Sequence, residues 1–252
     1  MGARLGAVAC EHEDVNTATV VLVHGAWHGA WCYAPLQAEL DRRGVPSLAI
    51  DLPGHGASPL PLSDLHGDGQ CVADALARID SPVVLVGHSY GGAVIGEAAT
   101  RHGSNVRHLV YLAAFALDEG EAVLPLAGSL PRVDNPLASA IRPSADGATS
   151  TVEPSLARHC FYELCPPGTT EAAVPRLSPQ PVATFTQPVT GAPWRSIPST
   201  YVACRRDNAV PFAHQEVMAT RCTSTVIFDT DHSPFASMPA ETADLLASLA
   251  RG

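Results

Sequence analysis

Pro82-Val83-Val84-Leu85-Val86-Gly87-His88-Ser89-Tyr90-Gly91-Gly92-Ala93-Val94-Ile95 opens as a short apolar run rich in β-branched residues and breaks at Gly87. Such a run is what a strand buried on both faces of a parallel sheet requires. Behind Ser89 come two glycines and then Ala93, Ile95, Ala98 and Ala99, small or apolar residues at helical spacing. Ser89 therefore falls in a strand-to-helix turn, flanked as G-x-S-x-G by Gly87 and Gly91. So sharp a turn needs neighbours without a Cβ, and it presents the serine at the carboxyl end of the sheet, where open α/β sheets bind ligands. Five residues are a weak signal by themselves, because a helix start made of small residues packs against a strand in the same way. The surrounding chain has to decide.

Working outward, residues 19–23 form a second apolar, β-branched run, ending at His24-Gly25. A helix is predicted over 31–43, with Leu36 and Leu40 on one face and a stop at Gly44; a strand follows over 46–50. After a loop of turn residues, Val72, Ala75, Leu76 and Ile79 mark another amphipathic helix, and 106–114 is a further apolar strand. Near the end the alternation resumes: strands over 199–204 and 224–228, helices over 211–220 and 240–249. Strands alternating with helices imply an α/β fold, a mostly parallel sheet with helices on both faces. Between 118 and 193 the pattern changes; Pro and Gly are frequent and only 156–164 reads as helical. A structureless loop of that length is improbable in a compact domain, so this stretch is expected to carry short helices and fold over the sheet edge as a cap. The expected division is one domain: core over 1–117, inserted cap over 118–193, core again over 194–252.

The 252 residues suit a single larger α/β domain with a sizeable core. A hydrophobic fraction of 46% argues against disorder. The net charge is −10, and all fifteen cationic residues are scattered arginines, which speaks against a nucleic-acid surface. The seven cysteines, at 10, 32, 71, 160, 165, 204 and 222, form no C-x-x-C pair and read as reduced thiols. Cys10, Cys71 and Cys204 read as buried core, and Cys160 and Cys165 could in principle bridge, although reduced thiols are the expectation. No stretch is apolar and long enough to span a membrane, and Met1 to Cys10 does not read as a signal peptide, so a soluble cytoplasmic protein is expected.

A serine hydroxyl needs a base to take its proton, and the base needs a third group to orient it. Asp207 follows the strand over 199–204, and His232 follows the strand over 224–228, both at the carboxyl end of the sheet. The order Ser89, Asp207, His232 is one in which such triads occur. Asp229 and Asp231 compete with Asp207, although side chains so close to His232 in sequence would have to fold back. Backbone N–H groups of Tyr90 and of Ala26, in the loop after the first strand, are candidate donors to a developing oxyanion; Gly25 leaves room for approach. His24, His55 and His88 read as hydrogen-bonders between loops. His12, His66, His102, His108, His159 and His214 lack metal-ligand spacing.

Four segments together, 21–31, 51–56, Gly87-His88-Ser89-Tyr90-Gly91-Gly92 and Asp231-His232-Ser233-Pro234-Phe235, resemble the α/β-hydrolase superfamily. The likeness is greatest to its branch of small esterases and hydroxynitrile lyases, which includes plant methyl-ester esterases and bacterial relatives. The resemblance implies Ser89 as nucleophile, His232 as base, Asp207 as its acid, Ala26 and Tyr90 N–H groups as oxyanion donors, and no cofactor or metal. The plant lyases of this fold carry Thr where this chain has Gly25 and Lys where it has Ser233, a residue type absent from the whole sequence. Those departures favour the esterase. The expected activity is hydrolysis of a small carboxylic ester or lactone through an acyl-enzyme. Gly25, Trp27, Phe115, Phe161 and Phe235 are candidates to line an apolar or aromatic substrate site, with Tyr90, Tyr162 and Phe185 nearby. From a free histidine pKa of about 6.5, kcat/KM is expected to rise through roughly pH 6 to 7. Two alternatives use the same scaffold: a lyase or cyclase that keeps the triad, and a small-molecule receptor. The sequence is compatible with a homodimer.

Overall fold

The computed structural model describes residues 17–252; Cys10 and His12 lie outside the described residues. The strands are β1 (Thr19–Val23), β2 (Ser47–Ile50), β3 (Val83–His88), β4 (Val106–Leu112), β5 (Ile141–Pro143), β6 (Thr149–Val152), β7 (Gln180–Pro181), β8 (Ser199–Cys204) and β9 (Ser224–Phe228). Six of them make one parallel sheet in the order β2-β1-β3-β4-β8-β9. Helices α1 (Ala34–Arg42), α2 (Leu65–Leu76) and α3 (Gly91–Arg101) belong to the first half of this α/β core. From 118 to 193 come α4 (Val123–Ser129), α5 (Pro136–Ala140), α6 (Pro154–Phe161), α7 (Thr169–Ala173) and α8 (Ala183–Thr186), and after β8 come α9 (Phe212–Ala219), α10 (Pro234–Ser237) and α11 (Pro239–Arg251).

The central strands β1 and β3 form because their residues are mostly apolar and β-branched, and every residue of β3 and β8 is buried. α1 packs on α11 and α2 on α3, flanking the sheet. The direction of strand progression reverses at β1 and β3, which are neighbours, so the loops at their carboxyl ends lie side by side at the topological switch point.

Several expectations are corrected. The first helix is split: a 3-10 turn over Ala30–Tyr33 precedes α1. The second begins at Leu65, seven residues before Val72, where the Asp64 carboxylate accepts the Gly67 N–H as an N-cap. Cys71 is only half-buried, whereas Cys204 is in the core. The 118–193 stretch holds short helices and also a three-stranded antiparallel sheet, β5-β6-β7, which the sequence reading lacked. Its two ends are tied together by Gly120 N–H to Val189 O at 3.0 Å and Val189 N–H to Glu121 O at 2.9 Å. Among the described residues no helix is long and apolar enough to cross a membrane.

Candidate active site

Ser89 has φ +52, a left-handed backbone that costs a non-glycine residue on the order of 1–3 kcal/mol. The turn is over-determined. Ser89 N–H donates to Leu112 O of β4, and Ser89 O accepts from the N–H groups of Gly92 and Phe115. A Cβ on Gly87 would come within 2.4 Å of Gly91 O, and one on Gly91 within 2.5 Å of Val23 O. The two glycines thus let α3 start directly behind β3 and against β1.

His232 Nδ1 donates to Asp207 Oδ2 at 2.7 Å, with both side chains at most 1% exposed. The carboxylate only accepts, so the proton sits on Nδ1 and the Nε2 lone pair is left for chemistry. Asp207 is itself fixed. Its Oδ1 accepts the Ala209 and Val210 N–H groups at 2.7 and 2.8 Å, and Oδ2 also accepts from Gln215 Nε2 at 2.9 Å. The two competing acids lie elsewhere. Asp229 pairs with Arg206 on the surface, and Asp231 turns its carboxylate to Leu164 N–H at 2.8 Å, the Cys165 thiol and Ser233 N–H. At rest no hydrogen bond joins Ser89 Oγ to His232 among the described residues, and such contacts tighten when substrate binds.

The loop after β1 presses on the serine: a Cβ on Gly25 would stand 2.9 Å from both Ser89 Cβ and His88 Nδ1, too close for the lyases' threonine without a shift. Neither the Ala26 nor the Tyr90 N–H donates to a protein acceptor among the described residues. Around this loop stand buried histidines. His88 Nε2 donates to His232 O at 2.8 Å, with ring centroids 4.4 Å apart. His28 Nδ1 donates to Ala26 O and its Nε2 accepts from the Tyr162 hydroxyl at 2.7 Å. His24 Nε2 accepts Leu52 N–H, while its Nδ1 donates to Gly25 O. Burial drives His24 down to about 3 and His28 to about 4, and it holds His88 well below the usual imidazole range, helped by repulsion from His232. These three are neutral loop-binders.

Of the aromatic candidates, Trp27 stacks obliquely on Phe161 and Phe185, and Phe161 also approaches His232 at 5.8 Å between centroids. Phe115 is half-buried beside the elbow through its N–H bond to Ser89. Phe235 makes its ring contacts with Tyr33 and His88, a core-packing position behind the triad rather than part of that wall. Sequence reasoning missed Asp68, whose Oδ2 accepts the Tyr90 hydroxyl at 2.7 Å while Oδ1 is buried without a partner. Burial raises its carboxyl to about 7. It also missed Gln180. Among the described residues no His, Cys, Asp and Glu side chains cluster as metal ligands do.

A model of the family described as Alpha/beta hydrolase family matches residues 20–245. The chain is 33% identical over 212 residues to the alpha/beta hydrolase nvfD of Aspergillus novofumigatus, covering 79% of this chain and 82% of that protein. It is 27% identical over 234 residues to the pFDCC methylesterase MES16 of Arabidopsis thaliana, covering 87% and 89%. Among solved structures, a pyrethroid hydrolase from Sphingobium faniae JZ-2 superposes with a TM-score of 0.80 at 27% identity, covering 92% and 97%.

Proposed function

This chain belongs to the alpha/beta hydrolase family, on its esterase branch, and we propose that it is a serine-dependent hydrolase of small carboxylic esters. The observation that carries the reading is the buried 2.7 Å bond from His232 to Asp207 beside a serine held at φ +52. Hydrolase and esterase names among the relatives support the same reaction class.

In this mechanism Ser89 Oγ attacks the ester carbonyl as His232 Nε2 takes its proton. The tetrahedral oxygen accepts from the Ala26 and Tyr90 N–H groups, which have no acceptor among the described residues and are thus available. Collapse breaks the bond to the alkoxy oxygen, which leaves as alcohol with the proton from His232. Water then attacks the acyl-enzyme, gives its proton to Nε2, and the acid departs as Ser89 is re-protonated. Keeping His24, His28 and His88 neutral adds no positive charge beside the transient imidazolium. The wall of Trp27, Phe161 and Phe185 suits an ester with an apolar or aromatic acyl or alcohol part.

The test is pre-steady-state release of p-nitrophenol from its acetate and butyrate esters, with native protein and Ser89→Ala. A burst and turnover that vanish in the variant are expected; absence of acylation by both esters would overturn the reading. Equal turnover of short aliphatic, long aliphatic and aromatic esters would remove the substrate preference.

A further inference from the structure

The loop that carries the Ala26 N–H is not held by the parallel sheet alone. Trp27, the next residue, has φ +64, and a bulky residue rarely adopts that left-handed conformation without being forced. Three of its polar groups bond to the inserted stretch. Its backbone N–H donates to Gln180 Oε1 at 3.1 Å, its carbonyl accepts Ser178 N–H at 2.9 Å, and its indole N–H donates to Ser150 O at 3.1 Å. Ser150 and Gln180 are register partners across β6 and β7. The two facing residues of this small antiparallel pair therefore grip the backbone and the ring of one tryptophan.

Gln180 is fully buried, and its amide has only one workable orientation. Thr184 Oγ1 donates its hydrogen to Pro181 O at 2.6 Å, so towards Gln180 it can only accept, and Nε2 supplies that donor at 3.0 Å. Oε1 is thereby turned to the Trp27 N–H. From this chain of bonds we propose that Gln180 is a positioning residue for the oxyanion hole: by holding Trp27 in its left-handed conformation, it fixes where the Ala26 N–H points. The inference rests on the serine-hydrolase reading, in which Ala26 N–H receives the oxyanion. It gives the inserted stretch a part in transition-state stabilisation as well as in covering the site.

Gln180→Met keeps the length and shape of the side chain but removes the acceptor. Loss of a whole oxyanion donor costs roughly 100- to 1,000-fold in kcat, so a misaimed one is expected to cost roughly 10- to 100-fold, with KM within about twofold. The affinity of a trifluoromethyl ketone that forms a tetrahedral adduct with the serine should fall by the same factor as kcat. A merely structural role would lower thermal stability without that parallel. Thr184→Val, which removes the partner of Nε2 and leaves the amide held only by the Trp27 N–H, should loosen Gln180 and give a smaller loss in kcat alone. If Gln180→Met does not fold, Thr184→Val decides. A folded Gln180→Met with native kcat, a loss confined to KM, or a kcat loss with unchanged ketone affinity would each overturn the proposal, as would native kcat in Thr184→Val. Ser89→Ala separates the two levels: if it retains turnover, the serine reading itself fails; if it is inactive while Gln180→Met is native, only the role of Gln180 fails.

Discussion

The carboxyl edge of the parallel sheet and the 118–193 stretch above it are held together by different physics. Along the sheet edge, Ser89 and Asp207 follow the fully buried strands β3 and β8 and are fixed by several main-chain groups, while His232, after the exposed edge strand β9, is held by Asp207 and by His88 Nε2 on its carbonyl. The inserted stretch has short elements, and it attaches to that edge through scattered side-chain polar contacts and the packing of Phe161 and Phe185 on Trp27. Gln180 and Ser150 bond to Trp27, Tyr162 to His28, Leu164 and Cys165 to Asp231, and Gln187 Oε1 accepts the Leu65 N–H at the start of α2. Buried polar contacts of this kind contribute little net stability when made and cost much when broken. On the proposed mechanism the lower layer supplies the reacting groups, and the upper layer sets their surroundings.

The largest effect that divides the two layers is expected from the paired aspartates. Asp207→Asn leaves Nδ2 facing His232 and favours the wrong tautomer, and a comparable change in a serine triad lowers kcat about 10⁴-fold. Asp231→Asn acts on the upper layer: its amide turns a donor towards either Leu164 N–H or Ser233 N–H. That should cost about 1–3 kcal/mol of stability and less than tenfold in kcat. Steady-state kinetics and thermal unfolding of both variants check this. A reversed pattern would make Asp231 the triad acid and erase the contrast.

The same division decided what the sequence disclosed. β8 and β9 were readable to the residue, because short runs rich in β-branched and aromatic residues bounded by turns have few other interpretations. Ser89, Asp207 and His232, the proposed triad, stand out in the sequence because each follows a strand that can be read from it. The start of α2 was hidden by Gly67 and Gly69, poor helix formers; Gly69 is there because a Cβ would stand 2.5 Å from Glu97 Cγ. β5, β6 and β7 have three, four and two residues, too few to show an alternation. Gln180 lies between Pro179 and Pro181 and reads as loop, and its partner Trp27 is 153 positions away, a pairing no local pattern encodes. Asp68 is hidden likewise, since only the fold brings Tyr90 to it.

A second test asks which layer yields first to acid. His24, at about 3, and His28, at about 4, are depressed by burial below their unfolded value of about 6.5. Their contribution is fully present above pH 6.5 and is lost as pH falls towards their folded values, because the unfolded chain takes up protons that the native state refuses. Each should lower stability by about 1.4 kcal/mol per pH unit between roughly pH 6 and 4. Thermal unfolding between pH 7 and 4 measures this slope. His28 links Ala26 to Tyr162, so hydrogen exchange in α6 and its flanks should quicken before exchange in β3. Unfolding midpoints that stay flat over this range would refute the account, and simultaneous loosening of both regions would show that the layers are one cooperative unit.

The smallest effect concerns Asp68, and its sign is opposite. Burial raises its carboxyl to about 7, against bonding by the Tyr90 hydroxyl, which lowers it, and with a smaller push upward from Asp64. A carboxyl whose folded pKa lies above its unfolded value of about 3.9 stabilises most below pH 4, and that contribution is lost as pH rises through 7. Above pH 7 the native state holds a buried carboxylate whose Oδ1 has no partner. Asp68→Asn stays neutral at every pH, and its carbonyl oxygen can still accept the Tyr90 hydroxyl. The variant should therefore gain about 1–2 kcal/mol over the native chain at pH 8, with the gain shrinking as pH falls and reaching zero only below about pH 4. Parallel pH profiles for the two proteins would mean that Asp68 keeps its ordinary titration. A variant that gains stability at pH 8 but loses kcat would instead tie the Tyr90–Asp68 bond to the placement of the Tyr90 N–H. The lower layer, like the upper one, would then depend on a single side-chain contact to aim its oxyanion donor.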